Sequence, residues 1–133
     1  MKRWFWLLLI PLMALAGCCN CLFGGKTMTQ EPMLAHSVFF TLNDNSSPQK
    51  ERLLEECYTY LKDHPGVTFF SAGLRDTTLT RPVNDQAFDV ALTVVFKTRK
   101  NHEDYQVAAK HKEFIQRNQT NWKQVRVFDS LVW

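Results

Sequence analysis

The sequence lacks most of the signatures that announce a catalytic class. Its 133 residues hold no internal repeat, no Walker loop and no Rossmann fingerprint. Five Gly and five Pro exclude collagen-like or Pro/Gly-rich low complexity. Cysteine is scarce: Cys18, Cys19 and Cys21 crowd near the start, and Cys57 stands alone in the rest of the chain, so no disulfide framework supports the fold. Net charge is scarce too. Of 16 Lys+Arg, two (Lys2 and Arg3) precede the first apolar run, which leaves 14 against 13 Asp+Glu, or +1. So neutral a chain has no basic footprint, and no nucleic-acid partner is expected. The short run Lys97, Arg99, Lys100 reads as a solvated turn.

The chain does hold enough apolar matter for a core. Hydrophobic residues make up 45% and charged residues 22%, which argues for a globular chain and against disorder. Ten Phe, four Trp and three Tyr can fill one domain of ordinary size.

The N-terminus reads as a targeting segment. Met1-Lys2-Arg3 is a positive start, and residues 4–16, WFWLLLIPLMALA, are an unbroken apolar run of thirteen. That length fits a signal-peptide core of ~7–15 residues and falls short of the ~20 that span a bilayer. Leu15-Ala16-Gly17-Cys18 follows and resembles the lipobox of bacterial lipoproteins. The resemblance implies cleavage after Gly17, lipidation of Cys18 and anchoring in the cell envelope, facing away from the cytoplasm. Each buried CH₂ of an acyl chain contributes ~0.8 kcal/mol, so two or three chains hold stably. An uncleaved N-terminal anchor and a plain secretory signal remain alternatives, and both also place the domain outside the cytoplasm. Cys19 and Cys21 stay unassigned. The sequons at Asn45 and Asn118 read as chance beside a bacterial-type lipobox. Residues 1–17 are thus the expected signal peptide, 18–32 the lipidated N-terminus and tether, and 33–133 the domain.

Periodicity predicts the domain's elements. Leu34, His36, Val38, Phe40 and Leu42 alternate as a strand. Ser47 as N-cap and Pro48 open a helix with Leu53, Leu54, Cys57, Tyr58 and Leu61 at helical spacing, ended by Asp63-His64-Pro65-Gly66. Cys57 on that stripe is expected to be a buried thiol. A second strand spans 67–74, a polar loop 75–86 and a third strand 87–97. Asn101 caps a second helical region to about 121, and a last strand spans 122–133. The order βαββαβ is an α+β, ferredoxin-like arrangement. Two helices cover one face of a four-stranded sheet, yet the other parity is also apolar, as at Phe39, Val95 and Phe128. A second copy of the sheet is the expected cover, giving a homodimer.

The chain resembles the stress-responsive α/β-barrel (Dabb) family. The matching features are His36 early in strand one, Pro65-Gly66-Val67, Gly73, Phe88-Asp89-Val90-Ala91, Asp104-Tyr105 with His111, and Val125-Arg126-Val127-Phe128-Asp129. The resemblance implies a ferredoxin-like dimer, the dimeric α/β-barrel. A plant member closes a polyketide chain by aldol condensation without metal or cofactor, with a catalytic Tyr and His six residues apart. Tyr105 and His111 match that spacing, and His36 matches the pocket histidine.

The chemistry stands on its own terms. A neutral imidazole removes an acidic proton near neutrality, and a phenol donates to a developing enolate oxygen. Six residues of straight helix, however, turn ~600° and leave two side chains ~120° and ~9 Å apart. The pair converges only if the helix breaks near 108–110, where Ala108-Ala109 are good helix formers. If it does, burial should lower the pKa of His111. His64 and His102 are expected at exposed helix ends. No cofactor is expected, and a metal set of His36, His111 and Asp89 is disfavoured because Asp89 has the wrong strand parity. Two functions compete: a lipid-anchored dimer that binds a small apolar ligand or is structural, and a cofactor-independent cyclase or monooxygenase-like enzyme.

Overall fold

The computed structural model describes residues 30–133. The expected signal peptide, Cys18, Cys19, Cys21 and residues 18–29 of the tether lie outside the described residues. Among the described residues, no helix is long and apolar enough to cross a membrane.

Strict alternation along β1 (Met33–Leu42) makes every second side chain buried, and this strand organises the sheet. It is followed by α1 (Ser47–Tyr60), β2 (Val67–Leu74), β3 (Val90–Phe96), α2 (Arg99–Val107), α3 (Ala109–Asn118), a 3₁₀ turn (Gln119–Asn121) and β4 (Trp122–Val132). The strands form one antiparallel sheet in the order β2-β3-β1-β4. This is the predicted ferredoxin-like βαββαβ fold, with its second helical region divided in two.

Both central strands of the sheet, β3 and β1, point one parity at the helices. Leu34, Val38, Phe40 and Leu42 of β1 and Val90, Leu92, Val94 and Phe96 of β3 meet Leu53 and Cys57 of α1, Leu61 at its C-terminal end, and Tyr105 and Phe114 of the second helical region. Burying side chains of this size is worth ~1.5–3 kcal/mol each. Cys57 is a buried free thiol, and burial in apolar surroundings pushes its pKa up to about 12, so it packs as a small hydrophobe.

A polar clamp joins α1 to α3. The buried Glu56 carboxylate accepts from Arg117 Nη2 at 3.1 Å and from the amide of Asn118. Burial raises the carboxyl pKa, but these bonds and the guanidinium charges outweigh it and hold the group below its usual range. Asn118 is therefore a buried structural residue and presents no acceptor for a glycan. Gly66 carries the sharp entry into β2 at φ +82, a conformation that costs other residues ~1–2 kcal/mol, and its backbone lies against the Asn101 side chain.

Three local expectations are corrected. Ser46, not Ser47, is the N-cap of α1, because Ser47 and Pro48 already have helical geometry. Thr98, not Asn101, caps α2; its hydroxyl accepts the Asn101 N–H at 3.2 Å. β3 starts at Val90 rather than Ala87. Arg75 Nε takes the Phe88 carbonyl at 2.8 Å, so side-chain bonds replace the ladder there.

Candidate functional site

The site begins with a break in the second helical region. Ala108 has φ −62 and ψ 143, an extended conformation, and α2 ends there while α3 starts at the next residue. The break has a phase argument. α3 buries His111, Phe114 and Asn118 along one face, and α2 buries Tyr105. In a straight helix Tyr105 would lie ~120° away from His111. Breaking the chain at Ala108 resets the phase, so both halves face the sheet. Tertiary burial here overrides the helix preference of two alanines.

The reset brings Tyr105 and His111 together, with ring centroids 4.4 Å apart. Tyr105 is only 2% exposed, and burial raises its pKa above the ordinary value. Among the described residues its hydroxyl has no hydrogen-bond partner. His111 Nδ1 lies 3.2 Å from the Gln106 carbonyl. A carbonyl only accepts, so Nδ1 carries the proton and Nε2 keeps a free lone pair. Burial lowers the His111 pKa, and the neighbouring histidines lower it further, so the ring is neutral near pH 7.

Three of the chain's four histidines pack on this tyrosine, and the fourth, His102, packs on one of them. His36 enters from β1, with its ring centroid 6.2 Å from that of Tyr105. His64, from the turn after α1, packs at 4.8 Å and donates Nε2–H to the Tyr60 carbonyl at 2.8 Å. His102, one turn before Tyr105 on α2, packs against His36 at 4.9 Å. The expectation that His64 and His102 are exposed is therefore corrected: both are half-buried, because the turn and the first turn of α2 fold over the same end of the sheet. Burial and the adjacent His36 lower the His102 pKa.

Register supplies a further residue. His36 faces Asp129 across the β1–β4 pair, and His36 Nδ1–H donates to Asp129 Oδ1 at 2.7 Å. Asp89 lies elsewhere, its carboxylate accepting the Leu42 N–H at 2.9 Å, so the set His36, His111 and Asp89 is not assembled.

These groups border a cavity of about 260 Å³ between sheet and helices. His36, Tyr105, His111 and Asp129 provide its polar wall; Phe40, Leu92, Phe114, Val125 and Val127 provide much of its apolar wall. Trp122 also lines it, and its buried indole N–H has no partner among the described residues. Chemically, the site offers an apolar enclosure, a free phenol donor and a neutral imidazole base. The three sequence candidates thus meet in one cavity. Asp129 closes the Val125–Asp129 pattern in the sequence, and its parity with His36 becomes readable only once the β1–β4 register is known. Gln106 and Trp122 gave no sequence signal.

Solved structures share this architecture. A Dabb family protein of ferredoxin-like fold from Mesorhizobium loti is 23% identical, with a TM-score of 0.64 over 77% of this chain and 99% of its own. A dimeric ferredoxin-like protein of unknown function from Thermobifida fusca is 14% identical, with a TM-score of 0.65 over 77% and 93%. A hydroxynitrile lyase from Passiflora edulis is 15% identical, with a TM-score of 0.62 over 76% and 94%. At these identities the likeness establishes the fold. No curated protein matches the chain in sequence. The model of the stress responsive A/B barrel domain (Dabb) matches residues 34–132, which is the whole of the sheet-and-helix unit apart from its outermost residues, and the chain belongs to that family.

Proposed function

We propose that this protein is a membrane-tethered, homodimeric Dabb lipoprotein whose cavity binds a small, mainly apolar molecule bearing an oxygen acceptor. The observation that carries the reading is the Tyr105 hydroxyl: it has no hydrogen-bond partner among the described residues and borders an apolar cavity whose wall also holds the buried, unpaired indole N–H of Trp122. Polar groups inside native proteins are nearly always paired, so a phenol and an indole N–H left unpaired at a cavity wall suit a ligand oxygen. At about 260 Å³ the cavity lies near the lower end of ligand-pocket size, ~300–1,000 Å³. The tether rests on Lys2-Arg3, the apolar run and Leu-Ala-Gly-Cys18. The dimer rests on the solvent-exposed outer-face residues Phe69 and Phe128, and on solved neighbours described as dimeric.

The test is titration of the full chain in mild detergent with medium-chain aliphatic ketones, followed by NMR shifts of the His111 ring. Saturable binding that weakens ~5–10-fold in Tyr105→Phe supports the reading, as expected for one lost hydrogen bond of ~1–1.5 kcal/mol. No saturable binding, or equal binding by the variant, overturns it.

A second reading is supported by the break at Ala108, which sets a free imidazole nitrogen beside a phenol. His111 Nε2 would remove a proton next to a carbonyl while Tyr105 donates to the developing oxyanion. The Passiflora edulis neighbour, a hydroxynitrile lyase, is an enzyme built on the same fold. Deuterium exchange at the α-carbon of a bound ketone, lost in His111→Ala, distinguishes catalysis from binding.

A further inference from the structure

We propose a binding site for one divalent transition-metal ion, of the zinc class, held by His36, His102 and Asp129. One ring nitrogen of each histidine and one carboxylate oxygen of Asp129 lie within 4.8 Å of one another. The three come from β1, α2 and β4, so the tertiary fold, not local sequence, brings them together. The site is separate from the Tyr105–His111 pair and stands whether or not the cavity takes an organic ligand.

The geometry is close to what such an ion needs. Metal–nitrogen and metal–oxygen bonds of ~2.0–2.2 Å place tetrahedral donors about 3.3–3.5 Å apart. His36 Nδ1 and Asp129 Oδ1 are now 2.7 Å apart, joined by the hydrogen bond that an ion would replace. Asp129 is exposed and His102 is half-buried, so both side chains can turn to close the remaining gap while His36 stays fixed in the sheet.

The surroundings also fit. Gln106 holds one ring nitrogen of His102 at 2.9 Å. With its amide turned over, it accepts from a protonated nitrogen, the outer-shell support that a ligating imidazole uses. The cluster stands between two openings. His36 and Asp129 line the main cavity, whereas His102 and Asp129 line a smaller one of about 130 Å³ beside Ser130. An ion there would keep a coordination position for water on either side. Arg99 also borders the smaller cavity, but it is exposed and its charge is solvated. Two imidazoles and one carboxylate favour zinc, copper, nickel or cobalt over the oxygen-seeking magnesium and calcium. The His36–Asp129 pair alone would be satisfied as a hydrogen bond between strands; the third ligand group, His102, is what that account leaves unexplained.

Cobalt(II) is the probe, because a protein-bound ion gives visible ligand-field absorption. The full chain, stripped of metal in mild detergent, carries Cys19→Ser and Cys21→Ser in every arm so that those thiols do not compete. The parent should take up one cobalt per chain, displaced by zinc and not by magnesium. His102→Gln and Asp129→Asn should each lose at least about 100-fold in affinity, the upper end for loss of a mere outer-shell partner. Zinc should also shift the NMR signals of the His36 and His102 rings more than those of His64, a readout that needs no variant to fold. Absence of stoichiometric uptake, or uptake undiminished in both variants, overturns the proposal.

Discussion

Replacing Tyr105 by Phe tests the site more sharply than removing the ring. The ring lies near Phe96, His64 and His111 at centroid distances of 5.0, 4.8 and 4.4 Å, and Phe preserves all three contacts. Only the hydroxyl leaves. A donor left wholly unsatisfied costs ~1–3 kcal/mol; a hydroxyl that borders a cavity and has no protein partner avoids only the part that water there recovers. Tyr105→Phe is therefore expected to leave the fold unchanged or stabilise it by up to ~1 kcal/mol. In a domain of this size that is a rise in Tm of at most ~4–8 °C. Tyr58→Phe is the control. Its hydroxyl donates to the Ala72 carbonyl at 3.1 Å, and its loss should cost ~0.5–1.5 kcal/mol.

The assay is urea denaturation of the full chain in mild detergent, with equal m values required before midpoints are compared. The informative result is opposite signs in one variant: stability held or raised, ketone binding weakened. A group kept at a cost to the free protein is one whose partner arrives from outside. Loss of more than ~1 kcal/mol in Tyr105→Phe would refute the reasoning, since it would mean that the hydroxyl already has a partner.

Other consequences follow from the same geometry. In metal-free buffer the His111 ring should titrate below ~6.5, its unfolded value. The unfolded chain then binds more protons than the folded one, so stability should fall as pH drops below ~6.5 and level off below the folded pKa; His111→Gln should flatten that slope in denaturation series from pH 7.5 to 5. Gly66→Ala should destabilise by ~1–2 kcal/mol, because its Cβ would meet the Asn101 side chain and adopt a strained φ; thermal melts check this. Leu53→Ala should cost ~2–5 kcal/mol in urea denaturation, as for other fully buried leucines. Intact mass of membrane-extracted protein should show cleavage after Gly17 plus acyl mass, and an unmodified soluble product would defeat the lipoprotein reading.

The sequence was legible where one physical rule acted alone. β2 at Val67–Leu74 follows from the helix stop Asp63-His64-Pro65-Gly66 before it, β4 from Trp122 from alternation, and α1 from the stripe Leu53, Cys57, Leu61. Legibility failed where side chains intervened. Phe88 continues the apolar alternation of β3, but Arg75 captures its carbonyl and the strand starts later. His64 and His102 sit at helix ends, where solvent is the default; only the three-dimensional fold turns His64 toward Tyr105 and His102 toward His36. The helix break was readable in principle. Burying Tyr105 together with His111, Phe114 and Asn118 violates a single helical phase, and that mismatch is a stronger signal than the alanines at 108 and 109.

The exposed apolar groups of β4 separate two kinds of partner. Register puts Phe128 opposite Ser37 on the outer face of the sheet, beside Phe39 at a ring distance of 5.7 Å. The preceding residue, Val127, pairs with Val38 and faces the helix side, yet it is 49% exposed because β4 is an edge strand that the helices do not cover. One flat partner sheet laid on the outer face buries Phe39 and Phe128 but leaves Val125 and Val127 untouched. Those two valines instead line the cavity with Tyr105 and His111. On this geometry a second copy of the chain accounts for the outer face and a small apolar ligand for the inner one. The two events are therefore separable: Phe128→Ser should weaken association with little effect on ketone binding, and Val127→Thr the reverse.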